Sequence, residues 1–155
     1  VRFDQNLYFG EGLKFITDVA QRANNICMTK HRVYCYRLNN QSCTAVYDVE
    51  KANASFVALD KIRDNLLLKS NIVLTALNSH YWLNNFLRIR YIVGSNCLAS
   101  YRALYENSKV YLHSNIAHVY RSNLGIKFKI IAPLVCLFPY LAAKVFNKIK
   151  ESRMQ

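Results

Sequence analysis

Few side chains in this sequence combine the type and spacing that chemistry requires. Glu11 stands between two glycines in Gly10-Glu11-Gly12, immediately before Leu13, Ile16, Val19 and Ala20 at helical spacing. That is the first turn of a predicted helix, where the aligned peptide dipoles favour a carboxylate whether or not it takes part in a reaction. Asp18 follows two turns later on the same face and could approach Glu11's end in principle, although a solvated or capping role is the simpler expectation. Arg37, in Tyr34-Cys35-Tyr36-Arg37, offers a rigid fork of donors suited to a phosphate or a carboxylate, with a structural salt bridge as the alternative. Tyr34 and Tyr36 are expected as half-buried strand residues.

The remaining reactive types exclude several classes. His113 and His118 lie five residues apart, not the four of a helical metal pair. The chain has only four glycines, and no phosphate-loop or dinucleotide pattern and no Ser-His-Asp set stands out. Hydrolase, kinase and dehydrogenase readings therefore have no support. The five cysteines (Cys27, Cys35, Cys43, Cys97 and Cys136) form no Cys-x-x-Cys pair. Their odd number points to free thiols in a reducing, cytosolic setting. The regular spacing of Cys27, Cys35 and Cys43 matches no common ligand pattern. Buried thiols packed as small hydrophobes are the expectation.

The N-terminal pieces stand in a distinctive order: Phe3-Asp4-x-x-Leu7-x-Phe9-Gly10-Glu11-Gly12-Leu13-x-Phe15, then Tyr34-Cys35-Tyr36-Arg37, then Ser42. This collinear set, over residues 2–44, resembles the acceptor-side end of a family 2 glycosyltransferase catalytic domain of the GT-A type. The resemblance implies inverting transfer of a sugar from a nucleotide-sugar donor to a glycan or lipid-linked acceptor, with a carboxylate base taking the acceptor proton. In the family that base is the Asp of a Gly-Glu-Asp box, and the matching position here is Gly12, which has no side chain. Glu11 is then the remaining carboxylate of the box. Tyr36, Arg37 and Ser42 match elements that border the substrate cleft. The family's Asp-x-Asp, which holds a divalent metal (Mg or Mn) on the donor diphosphate, lies upstream of these elements and is absent from this sequence. The expectation is an acceptor-side fragment of a longer enzyme, inactive alone, with no cofactor of its own.

Charge is divided unevenly. Residues 1–64 hold nine Lys or Arg against seven Asp or Glu, whereas residues 65–155 hold twelve against two, so the net charges are +2 and +10. The C-terminal part is a cationic surface suited to an anion: nucleic acid, an acidic bilayer face or a diphosphate-linked acceptor.

Positioning these residues requires elements, and the distribution of helix breakers predicts them. Neither Gly nor Pro occurs from Leu13 to Val93, so long helices can run there. The spacing predicts a helix over 11–23, a strand or short hairpin over 26–38, and a polar loop over 39–44. Helical periodicity over 49–92 should break near Lys69 to Asn71 or near Asn84-Asn85, giving a helical hairpin. Further helices are expected over 95–105 and 107–123. The expected fold is mainly helical α+β, a helix and short strands from the edge of a GT-A type domain followed by a helical region. The domain reading is 1–46 for the acceptor-side end, 47–125 for a helical region and 126–155 for a tail.

The tail carries Lys127 and Lys129 before the apolar run 130–143, and Lys144, Lys148 and Lys150 after it. Fourteen residues are too few to cross a bilayer, which needs about 20, and Pro133 and Pro139 should interrupt a helix. A basic-flanked apolar segment of this length suits an anionic membrane interface, and a peripheral position on the inner face of the plasma membrane follows. A C-terminal helix packed on the core is the alternative.

A second class of function fits the charge alone: a non-enzymatic basic helical module for nucleic acid or a protein partner. Arg88, Arg90, Arg102, Lys109 and Arg121 alternate with Tyr91, Tyr101, Tyr105, Tyr111 and Tyr120, and such alternation can track a single strand by stacking. No nucleic-acid motif accompanies them, which disfavours nucleic acid as the partner. Exposed apolar surface would also favour self-association into a homo-oligomer.

Overall fold

The computed structural model describes residues 1–27, 29–31 and 46–152. Six helices account for its regular structure: α1 (Glu11–Ala20), α2 (Val49–Asp64), α3 (Asn71–Gly94), α4 (Arg102–Arg121), α5 (Ile126–Leu137) and α6 (Pro139–Ser152). Local chemistry explains several boundaries. The Asp48 carboxylate caps α2 by accepting from Glu50 N–H at 2.9 Å, with Glu50 in the first turn and Lys61 and Arg63 in the last. Each charge lies at the helix end whose partial charge it complements. Ser70 caps α3 through Val73 N–H at 3.4 Å. Asn96, with φ 56°, turns the chain out of α3, since Asn is among the few residues that tolerate the left-handed region.

The expected break therefore falls at residues 65–70, and α3 runs straight through Asn84-Asn85. The buried Asn85 side chain donates back to Tyr81 C=O at 2.9 Å, which satisfies it inside the helix. The two helices expected over 95–105 and 107–123 are instead a turn followed by the single helix α4. Helix α1 ends at Ala20, short of the expected 23. Pro133 lies within α5, where the helix continues despite one missing N–H. Pro139 takes the first position of α6, where a missing N–H has no intrahelical partner to lose.

The centre of the molecule is the α3–α4 pair. Trp82 on α3 is 2% exposed and donates its indole N–H to Leu112 C=O of α4 at 2.9 Å. Cys136 Sγ of α5 reaches the same carbonyl at 3.3 Å, so one acceptor ties three helices. Helix α5 lies on α4 and α6 on α3, and their Ala132, Val135 and Ala143 share a core with Phe86, Ile89, Ile92 and Val119. A smaller cluster of Leu59, Ile62, Leu77 and Tyr81 joins α2 to α3. Helix α1 packs on α2 at the periphery.

The α+β expectation is overturned. Among the described residues there is no strand, and the described part of the segment expected to be one, residues 26, 27 and 29–31, is irregular. Aromatic and β-branched content reports fit to a pleated, half-buried surface, but a strand forms only where a neighbour pairs its N–H and C=O groups. The described residues offer no sheet edge to do so. The rest of that segment, with Tyr34, Tyr36, Arg37 and Ser42, lies outside the described residues.

Candidate functional site

Of the sequence-predicted site residues, Glu11 and Gly12 are described, at the N-terminus of α1 and exposed. Gly10 precedes them in the left-handed region at φ 87°, and a Cβ there would meet Ala58 Cβ at 2.7 Å. This glycine lets the chain turn into α1 while lying against α2. At Gly12 the space is open, with nothing within 4 Å of where a Cβ would stand.

The preceding residues form a tether. Phe3 stacks on Phe15 of α1 with ring centroids 4.2 Å apart, and Leu7 is buried. Asp4 accepts from Asn6 N–H at 3.0 Å and from Lys61 Nζ of α2 at 2.8 Å. The Lys61 hydrogen bond, and then that of Asn6, holds the Asp4 carboxyl below its ordinary value. Phe3 thus ties the N-terminal segment to α1 and Asp4 ties it to α2. Lys61 was invisible as a partner because it lies 57 residues away.

Helix α1 itself is turned the unexpected way. Its charged pair faces inward: Lys14 Nζ donates to Asp18 Oδ2 at 2.6 Å, both side chains 11% exposed. Asp18 C=O also accepts from Arg22 at 2.9 Å. Asp18 is therefore neither solvated nor near Glu11, and it is committed to Lys14. The apolar side faces out, with Leu13 38% and Ile16 59% exposed. Beside it, Ile16, Ala20, Leu66, Leu67, Leu68 and Val73 line an open groove of about 480 Å³. Gln21 holds the rim by accepting Leu67 N–H at 2.8 Å, while its own Nε2 is buried without a partner.

A second pocket, about 240 Å³, lies between α3, α5 and α6, with apolar walls that include Leu83, Leu87, Phe128 and Ile131 and one cation, Arg90. Arg90 Nε donates to Asn147 Oδ1 at 3.1 Å, and Asn147 Nδ2 returns a bond to Arg90 C=O at 2.8 Å. Burial lowers the Arg90 pKa from its ordinary value.

The tyrosine and cation alternation does not form a track. Tyr91 and Tyr105 are buried, Tyr101 and Tyr111 are half-buried, and Tyr120 is exposed. Arg88 lies 3.9 Å from the centroid of Phe56 and Arg90 5.6 Å from that of Phe146, so these guanidinium groups are engaged in packing. Of the cysteines, Cys136 is buried as expected, Cys97 is intermediate, and Cys27 is exposed, which corrects the expectation of a buried thiol there. Cys35 and Cys43 lie outside the described residues. No group of three or more His, Cys, Asp or Glu among the described residues is arranged to hold a metal ion.

Comparison with protein-family models, curated proteins and solved structures finds no match for this chain.

Proposed function

We propose that this chain is the acceptor-side part of a nucleotide-sugar-dependent glycosyltransferase, which transfers a sugar to a glycan or lipid-linked acceptor. The observation that carries the reading is the orientation of α1. The helix opens at Glu11, directly after the ordered Phe3-Asp4-x-x-Leu7-x-Phe9-Gly10 run. Its Lys14–Asp18 ion pair is buried, Ile16 is exposed, and Leu13 stands partly exposed at the seam with Leu59 and Ile62 of α2. An amphipathic helix gains most when its apolar face is covered. Exposed Ile16 and the apolar groove beside it offer a surface for a further body, for which a donor-binding domain is the occupant the resemblance supplies.

In this reading Glu11 stands exposed at the mouth of the acceptor site, and Gly12 occupies the place of the proton-accepting carboxylate. The helix N-terminus favours an acidic group there. The half with net charge +10 also suits a basic binding module, although burial takes Tyr91 and Tyr105 out of the set of tyrosines available for stacking.

The test is a sugar-transfer assay on the complete gene product that contains this chain, with a panel of nucleotide sugars. Gly12→Asp should raise turnover, and Glu11→Gln should lower it. Absence of transfer in both the parent protein and the Gly12→Asp variant, with steeply salt-dependent binding to polynucleotide instead, would sink the proposal in favour of the basic module.

A further inference from the structure

Helices α5 and α6 cover the α3–α4 pair and turn a second apolar face outward. On α5, Ala132, Val135 and Cys136 point into the core, and Ile126, Ile130, Leu134 and Leu137 form the opposite stripe, each more than half exposed. On α6, Pro139, Ala143 and Asn147 are buried, and Leu141, Val145 and Ile149 run along the outer side at steps of four. Phe138, 55% exposed, bridges the two stripes. Contiguous apolar surface on this scale calls for an occupant.

Charge identifies the occupant. Lys127 and Lys129 accompany the α5 stripe, and Lys144 and Lys148 form a line beside that of α6, with Lys144 4.8 Å from the Tyr140 ring centroid. No Asp or Glu occurs in the sequence between Glu106 and Glu151. On α1 itself Lys14 is turned inward and the acidic Glu11 stands at the N-terminus. Among the described residues no helix is long and apolar enough to cross a membrane.

We infer that the α5–α6 face is a docking surface for an anionic lipid bilayer, with the apolar stripes entering the headgroup boundary and the four lysines meeting lipid phosphates. Amphipathic helices with lysines along the polar margin lie in the interface plane in this way. The surface is independent of the glycosyltransferase reading, since it rests on α5 and α6 alone.

The experiment is co-sedimentation of the full chain with phosphatidylcholine vesicles, with and without phosphatidylglycerol. Binding should require phosphatidylglycerol and weaken with salt. Changing Lys127, Lys129, Lys144 and Lys148 together to Gln should weaken it at least about tenfold, and Leu141→Glu with Val145→Glu should abolish it. All of these positions are exposed except half-buried Lys129, so helical circular dichroism should be unchanged. Equal binding to both vesicle types, or insensitivity to both sets of changes, would overturn the inference. So would a dimer in sedimentation equilibrium that the two glutamates dissociate, or polynucleotide binding that alone is lost with the four lysines.

Discussion

Lys14 Nζ lies 2.6 Å from Asp18 Oδ2 on the buried side of α1, one turn apart, while Ile16 between them points to solvent. The pair fixes which face of the helix meets α2. Asp18 Oδ1 is buried without a hydrogen bond, so the pair is the carboxylate's main compensation for burial. Asp18→Ala should strand the Lys14 charge and release α1, at a cost of about 3–5 kcal/mol for a buried pair broken on one side. The double change Lys14→Met with Asp18→Leu should restore most of it. Hydrogen exchange of α1 amides would report both, and unchanged protection in Asp18→Ala would disprove the role.

The two glycines around Glu11 should behave oppositely. Gly10→Ala places a side chain at φ 87° and against Ala58, for a loss of about 1–3 kcal/mol. Gly12→Asp meets open space and stands in the first turn of α1, so its stability should change by less than about 1 kcal/mol. Chemical denaturation of the two variants compares them directly.

The centre of the fold should be far less tolerant. Trp82→Ala removes a side chain 2% exposed and its bond to Leu112 C=O, at about 3–5 kcal/mol. Asn147→Ala removes both bonds that join α6 to Arg90 of α3 and leaves buried groups unpaired, at about 1–3 kcal/mol for each. Loss of protection confined to α6 in the second variant, against global loss in the first, is the expected hydrogen-exchange pattern.

Alkaline pH should loosen the end of α6. The Tyr47 hydroxyl has two acceptors within reach of its single proton, Glu151 Oε1 at 3.2 Å and Asn147 C=O at 3.4 Å, and its ring lies where a side chain at position 94 would stand. Burial, and then the neighbouring Glu151 carboxylate, pushes its pKa from 10.0 up to about 12. The folded state therefore holds this proton more tightly than the unfolded chain. The stabilisation is complete below pH 10 and is lost as pH rises through 12. Tyr47→Phe should flatten that part of the stability profile, and tyrosinate absorbance would follow the titration itself.

The sequence by itself determined the helical character of α2 and α3 within residues 49–92, because breaker-free periodicity is a local signal. It determined the start of α1 at Glu11 and the basic apolar tail, and it left the break open between Lys69 to Asn71 and Asn84-Asn85, of which the structure takes the first. Tertiary structure decided what periodicity leaves open: which face of each helix is covered. Both faces of α1 have burial-competent residues, and only packing against α2 turns Lys14 and Asp18 inward. The tyrosines that alternate with cations along the chain divide between core and surface because α3 and α4 bury one side each. No strand forms in the described part of residues 26–38, because pairing of N–H and C=O depends on a neighbour that local sequence does not encode.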